Sequence, residues 1–294
     1  MVLILEIQIQ YIFNVRGDIT GGGFFHPKDS SGNWVNPFDY KFSGGQGGRD
    51  YYDENNGWTY RWDVQHNTKE LIRMMGGSEA FCESLDQLFR EPLGRTRSSF
   101  YSQWPDQTAN VGQFTMANEP SMHIPYLYCY AGQPWKTQKR VRSLVEQWFR
   151  NDVAGVPGDE DGGGLSAFVV FSMIGFYPVG VGQDVYVIGS PFFPKVKLDL
   201  GQRTKEIINR IKKEQGDNNE DSNADNHVYL EIEAQNVSHD NKYIRSATFN
   251  GKDWDKCWFT YSDIENGGKF VFVMGNKANR EWGTSPLPPS AEDY

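Results

Sequence analysis

Val156-Pro-Gly-Asp-Glu-Asp-Gly-Gly-Gly-Leu-Ser-Ala-Phe-Val-Val-Phe-Ser-Met-Ile-Gly-Phe176 joins a glycine-held acidic loop to an apolar run, and beyond it the hydrophobic period changes. Glycine lacks a Cβ and admits left-handed backbone, so the loop can bend tightly and leave Asp159 and Asp161 free to point at a partner. The run from Leu165 is apolar on nearly every side, which predicts a buried helix, with a buried strand as the alternative. Acidic residues before a helix also have an ordinary role, because they complement the unpaired N–H groups and the positive end of the dipole. Both readings of the carboxylates stand on the local sequence. A calcium loop of EF-hand type is excluded: with Asp159 as first ligand, Gly163, Ala167 and Val170 fall where oxygen ligands are required.

Downstream, alternation replaces the helical period. Strands are predicted at Val185–Ile188, 196–200, 229–233, Tyr243–Phe249 and 270–273, with Phe249-Asn-Gly-Lys252 as a hairpin turn. Residues 216–226 are polar and acidic and read as a mobile insertion. Upstream the pattern is helical. One helix is expected over 67–75, stopped by Gly76-Gly77, and a second opens at Ser78 with Phe81, Leu85, Leu88 and Phe89 on one stripe. A third runs over 135–150, with Val141, Leu144, Val145 and Trp148 inward and Lys136, Lys139, Arg140 and Arg142 on a solvated face. The fold class is thus α+β and multidomain, with helical residues 1–183 entered through a loop-rich stretch and an all-β module over 184–294.

The chain has 294 residues, enough for a large core. Its net charge of −9 makes it a poor partner for a phosphate backbone, which needs a basic surface. No segment is long and apolar enough to span a membrane. The first 13 residues are apolar and alternate like a strand, without the basic start and cleavage site of a signal peptide. Cys82, Cys129 and Cys257 are odd in number and widely spaced, so they read as buried thiols rather than a disulfide or zinc framework. Aromatic residues make up 15% of the chain, with 9 Trp, 15 Tyr and 19 Phe. Flat rings with polar tips suit the apolar faces of a pyranose, though each one is also ordinary core material.

Two further stretches combine rings with polar groups. Residues 49–62 end in Tyr52-Asp-Glu-Asn-Asn-Gly-Trp-Thr-Tyr-Arg-Trp62, which packs acids, amides and aromatics into a short span. In Met116-Ala-Asn-Glu-Pro-Ser-Met-His-Ile-Pro-Tyr-Leu-Tyr128, Pro120 suits a first helical turn. Asn118 and Glu119 then fall at the helix start, as a cap and a dipole-complementing acid or as oxygen ligands for a cation or polyol.

These stretches, with Met74-Met-Gly-Gly77, Ala131-Gly-Gln-Pro-Trp135, Gly158-Asp-Glu-Asp-Gly-Gly163 and Gly175-Phe-Tyr-Pro178, together resemble glycoside hydrolase family 92. The order agrees from about residue 24 onward and resembles the C-terminal portion of such an enzyme. The resemblance implies an inverting, calcium-dependent exo-α-mannosidase acting on terminal mannose of glycans, with an N-terminal β-sandwich joined to an (α/α)6 barrel. Residues 1–183 would be part of that barrel and 184–294 a β-sandwich-like module, with the absent N-terminal domain as a partner. It also implies a periplasmic or secreted enzyme if the chain is truncated, and otherwise a cytoplasmic one. By the same match Glu54 is the general acid, and Asp161, supported by Asp159, the general base. Asn118 and Glu119 hold the calcium, and Trp58, Tyr60 and His123 line the substrate. The chain departs from the family at Glu54-Asn-Asn-Gly57, where Glu-Gly-Asn is common, and at His66-Asn67, where a His-Asp pair is usual. A non-catalytic calcium-dependent glycan-binding protein is the alternative from another class.

Overall fold

The computed structural model describes residues 13–14, 23–26, 28–41, 52, 55–94, 108–158, 160–214 and 227–293. Two sequence-predicted site residues, Glu54 and Asp159, and the insertion at 216–226 lie outside the described residues. So does nearly all of the N-terminal apolar stretch, of which Phe13–Asn14 (β1) pairs antiparallel with Phe24–Phe25 (β2).

Helical segments dominate up to residue 174. They are Gly57–Tyr60 (α1), Thr68–Met74 (α2), Ser78–Leu88 (α3), Pro134–Trp148 (α4) and Gly164–Ile174 (α5), with 3-10 turns at Gln65–Asn67, Glu119–Ser121 and Ile124–Cys129. Between α3 and α4 a short ribbon pairs Asn110–Val111 (β3) with Phe114–Thr115 (β4). Two helix ends follow from their sequence, whereas the helix expected over 135–150 stops at Trp148, with Phe149 extended. Asn67 caps α2 by accepting the Glu70 N–H at 3.2 Å, and Gly175 closes α5 in a left-handed conformation. The stripe of α3 is buried as its spacing requires, through Phe81, Leu85, Leu88 and the adjoining Phe89.

The β region begins before the predicted position. Phe176–Tyr177 (β5) pairs with Val185–Ile188 (β6), which pairs with Trp258–Thr260 (β11), making a three-stranded antiparallel sheet. The larger sheet has the order β10-β9-β12-β8-β7, from Lys195–Gln202 (β7), His227–Gln235 (β8), Tyr243–Phe249 (β9), Lys252–Asp253 (β10) and Gly268–Gly275 (β12). Only β8 and β12 run parallel in it. The predicted hairpin is present, with Lys252 opposite Phe249 and both Asn250 and Gly251 at positive φ, as a two-residue turn between twisted strands demands. Lys205–Glu214 (α6) and Tyr261–Ile264 (α7) interrupt the strands. The fold is mixed α+β, and one continuous core runs from Phe24 and Trp58 through Leu165 and Phe168 to Phe259, Phe270 and Trp282. Residue 184 therefore falls between two strands of one sheet. The three cysteines are buried free thiols, and burial pushes the Cys82 thiol up to about 12.

Two expectations are corrected. The apolar run at 165 is a helix, but it buries one face only: Leu165, Phe168 and Ser172 face the core, while Val170 is 54% exposed. The helix packs on α4 and β5 from one side, which covers one face of a cylinder and not the other. Arg142, placed on the solvated face of α4, is 3% exposed. Its guanidinium donates to the Pro191 and Ser238 carbonyls at 3.0 Å each and to Glu146 Oε1 at 3.1 Å, so the helix is tied to the β region by a buried fork. Replacing Arg142 by Leu strips two carbonyls and a carboxylate of their donor and is expected to destabilise the chain by roughly 3 kcal/mol, read as a lowered urea midpoint.

Candidate active site

The Tyr52–Trp62 stretch folds around an amide-capped turn. Asn56 Oδ1 accepts the Trp58 N–H at 3.0 Å, starting α1, and Asn56 Nδ2 donates to Gln113 Oε1 at 2.9 Å, which fastens α1 to the β3–β4 ribbon. The aromatic residues then face different partners. Trp58 is buried edge-on to Phe24, with ring centres 5.2 Å apart, and Tyr60 stacks on Tyr52 at 5.7 Å. Arg61 is fully buried with its guanidinium over the rings of Phe24, Trp58 and Trp62, at 4.8, 5.4 and 5.2 Å. Burial lowers its pKa to about 9. The sequence reading did not single it out, although an arginine enclosed in Trp58-Thr-Tyr-Arg-Trp62 carries that signal.

Asn118 and Glu119 stand where Pro120 predicted, just before and at the start of a 3-10 turn. Asn118 is 1% exposed, and its side chain makes no cap bond to that turn, so capping does not explain its burial. The turn packs against α1, bringing the two motif stretches into contact. Glu119 also faces Tyr177, whose hydroxyl is pushed up to about 12 by burial and, secondarily, by the Glu119 charge. His123 is enclosed: Nε2 lies 3.0 Å from the Trp62 carbonyl and Nδ1 lies 3.3 Å from Gln65 Nε2. The consistent tautomer donates through Nε2 and accepts at Nδ1. Burial lowers its pKa, so both ring nitrogens hold the stretch together as a neutral imidazole.

The acidic loop divides its labour. Glu160 Oε1 accepts the Ser166 N–H at 2.8 Å and so caps the first turn of α5, while the Ser166 hydroxyl and, after it, this amide lower its pKa. The ordinary helix-capping role therefore belongs to Glu160, a residue the sequence reading passed over. Asp161 is exposed and sits at φ 41°, a left-handed conformation uncommon for a residue with a side chain. The loop is pinned at both ends to the Asn118 segment. Gly158, at φ 67°, lies so near Ala117 that a Cβ there would come within 2.5 Å of the Ala117 Cβ. A Cβ on Gly164 would lie 3.0 Å from Glu119 Cγ and 3.4 Å from Glu119 Oε1.

Three stretches far apart in sequence thus converge: 55–62, 117–123 and 158–164. The junction carries buried polar atoms without a hydrogen-bond partner among the described residues, namely Asn55 Nδ2, Trp58 Nε1, Thr59 Oγ1, Trp62 Nε1 and Ser121 Oγ. Such groups cost roughly 1–3 kcal/mol each when left unsatisfied. Among the described residues no cluster of three or more His, Cys, Asp and Glu could hold a metal. The Asn118 amide, the Glu119 carboxylate and the Ser121 hydroxyl are nonetheless hard oxygen donors, the type calcium takes.

Comparison with known proteins agrees with this arrangement. The profile of the glycosyl hydrolase family 92 catalytic domain matches residues 9–276. An uncharacterized secreted glycosidase of Arthroderma benhamiae is 30% identical over 235 residues, covering 79% of this chain and 25% of its own. The family GH92 α-mannosidase of Bacteroides thetaiotaomicron in complex with mannoimidazole superposes with a TM-score of 0.74 at 30% identity, over 91% of this chain and 32% of that one. A family GH92 inverting mannosidase of the same species, strain VPI-5482, gives 0.70 at 32% identity, over 92% and 34%. The chain belongs to glycosyl hydrolase family 92. It spans about a quarter of that curated relative and about a third of those solved chains.

His123 supplies a test of the junction's packing. Its folded pKa lies below the unfolded value near 6.5, so its contribution to stability is complete above that pH and is lost as pH falls towards the folded pKa. The urea midpoint is expected to drop between pH 7.5 and 5.5, and His123→Gln is expected to flatten that drop; an equal slope in the variant would contradict it.

Proposed function

We propose that this chain carries catalytic residues of an inverting, calcium-dependent exo-α-mannosidase that removes terminal mannose from glycans. The observation that supports it is the convergence of 55–62, 117–123 and 158–164 on a junction rich in buried polar atoms, in a chain whose solved relatives include a mannosidase bound to mannoimidazole. On this reading the helices of residues 1–183 are part of an (α/α)6 barrel, 184–294 is the β-sandwich-like module, and an N-terminal sandwich completes the pocket.

Inversion needs a protonated carboxyl at the leaving oxygen and an ionised carboxylate across the ring, separated by roughly 6.5–9.5 Å so that water fits between them. Glu54 is the proposed acid. That role needs a carboxyl kept neutral, which desolvation by neighbouring aromatic rings would favour. Asp161, exposed in the glycine loop and on this reading supported by Asp159, is the proposed base that activates water. Asn118 and Glu119 are the proposed calcium ligands. The ion, when bound, would polarise the cis O2–O3 diol of the terminal mannose. Trp58 and Tyr60 shape the aromatic wall, and His123 holds the backbone behind it at Trp62.

With the N-terminal sandwich of a family relative supplied, assay of the chain with an aryl α-mannoside is expected to show turnover that EDTA removes and that Glu54→Gln lowers about 10²–10⁴-fold. Chelator-sensitive binding of a mannose glycan with no turnover at all would instead establish a glycan-binding protein and overturn the hydrolase.

A further inference from the structure

We propose that Gly164 is a positioning residue for the Glu119 carboxylate: its missing side chain sets how near α5 lies to that carboxylate and so tunes the affinity of the site for Ca2+. The inference rests on the reading of Glu119 as a calcium ligand. Two observations on the backbone carry it. Gly164 is the first residue of α5, and its φ does not lie in the region that favours glycine, so conformation does not explain the choice. Space does. A Cβ there would stand 3.0 Å from Glu119 Cγ, closer than ordinary carbon–carbon contact, and 3.4 Å from Glu119 Oε1 and Met122 Cε.

The neighbour that must yield is the middle of the Glu119 side chain. A shift of a few tenths of an ångström at Cγ is carried to both carboxylate oxygens, and ligand oxygens hold calcium only within a narrow range of distance. Tuning of a ligand by the residues behind it is a general property of metal sites. Gly158 anchors the other end of the same loop on Ala117, so the loop cannot swing away to relieve the clash.

Gly164→Ala separates this from a packing role. Alanine is the better helix former, so a glycine without any role predicts a variant at least as stable as wild type, and a glycine kept for packing alone predicts a less stable one, each unchanged in metal response. The proposal predicts an unfolding temperature in EDTA equal to or above wild type, with Ca2+ affinity about tenfold weaker. That affinity is read from the Ca2+ concentration that half-saturates the rise in unfolding temperature, and independently by calorimetric titration. A variant whose Ca2+ response matches wild type overturns the inference alone. A variant destabilised in EDTA with its Ca2+ affinity intact, or one that does not fold, assigns Gly164 to packing and also overturns it. A wild-type chain with no Ca2+ response overturns the calcium reading of Glu119 and this inference with it.

Discussion

The approach of the loop at 158–164 to the backbone and side chains of 117–119 is the constraint on which the rest of the site depends. A Cβ at Gly158 would press on Ala117 and one at Gly164 on the Glu119 side chain, and the described acids between these contacts divide their roles. One of them, Glu160, turns back to cap α5, and Asp161 is left in a left-handed conformation at the surface. A local backbone cost at Asp161 is accepted because the anchors on both sides fix the path.

Around that contact the protein uses buried polarity as adhesive. Asn56 reaches Gln113, His123 reaches Trp62 and Gln65, Tyr126 meets Ser172 on α5 at 2.8 Å, and Arg142 reaches across to Pro191 and Ser238. Each bond links elements distant in sequence, and in a low-dielectric interior each is costly to break. The same interior holds polar atoms at Trp58, Thr59, Trp62 and Ser121 that no described residue satisfies. Others of the kind lie elsewhere, at Ser84, Trp148 and Trp254, so it is their combination with the convergence of three motif stretches that singles out this junction.

Local chemistry made much of this legible in the sequence. The Asn250-Gly251 turn, the stripe of α3 and the position of Asn118 ahead of Pro120 all follow from rules that act over a few residues. What escaped depends on which face of an element finds a partner. Arg142 lies on the charged side of α4 by spacing, yet the β region comes to meet it there. The apolar composition of α5 implied burial all round, yet neighbours cover one side. The roles of Gly158 and Gly164 were hidden for the same reason, since a glycine records only that a side chain is missing and not what stands in its place. The motif pattern carried the family, whereas the contacts among the motifs required the fold.

Amide hydrogen exchange of wild type against Gly158→Val most directly tests whether the motif stretches form one cooperative unit. The account predicts that exchange accelerates together at 156–166 and 117–123, with the strands of the five-stranded sheet unaffected. Acceleration confined to 156–166, with 117–123 protected as in wild type, would contradict it.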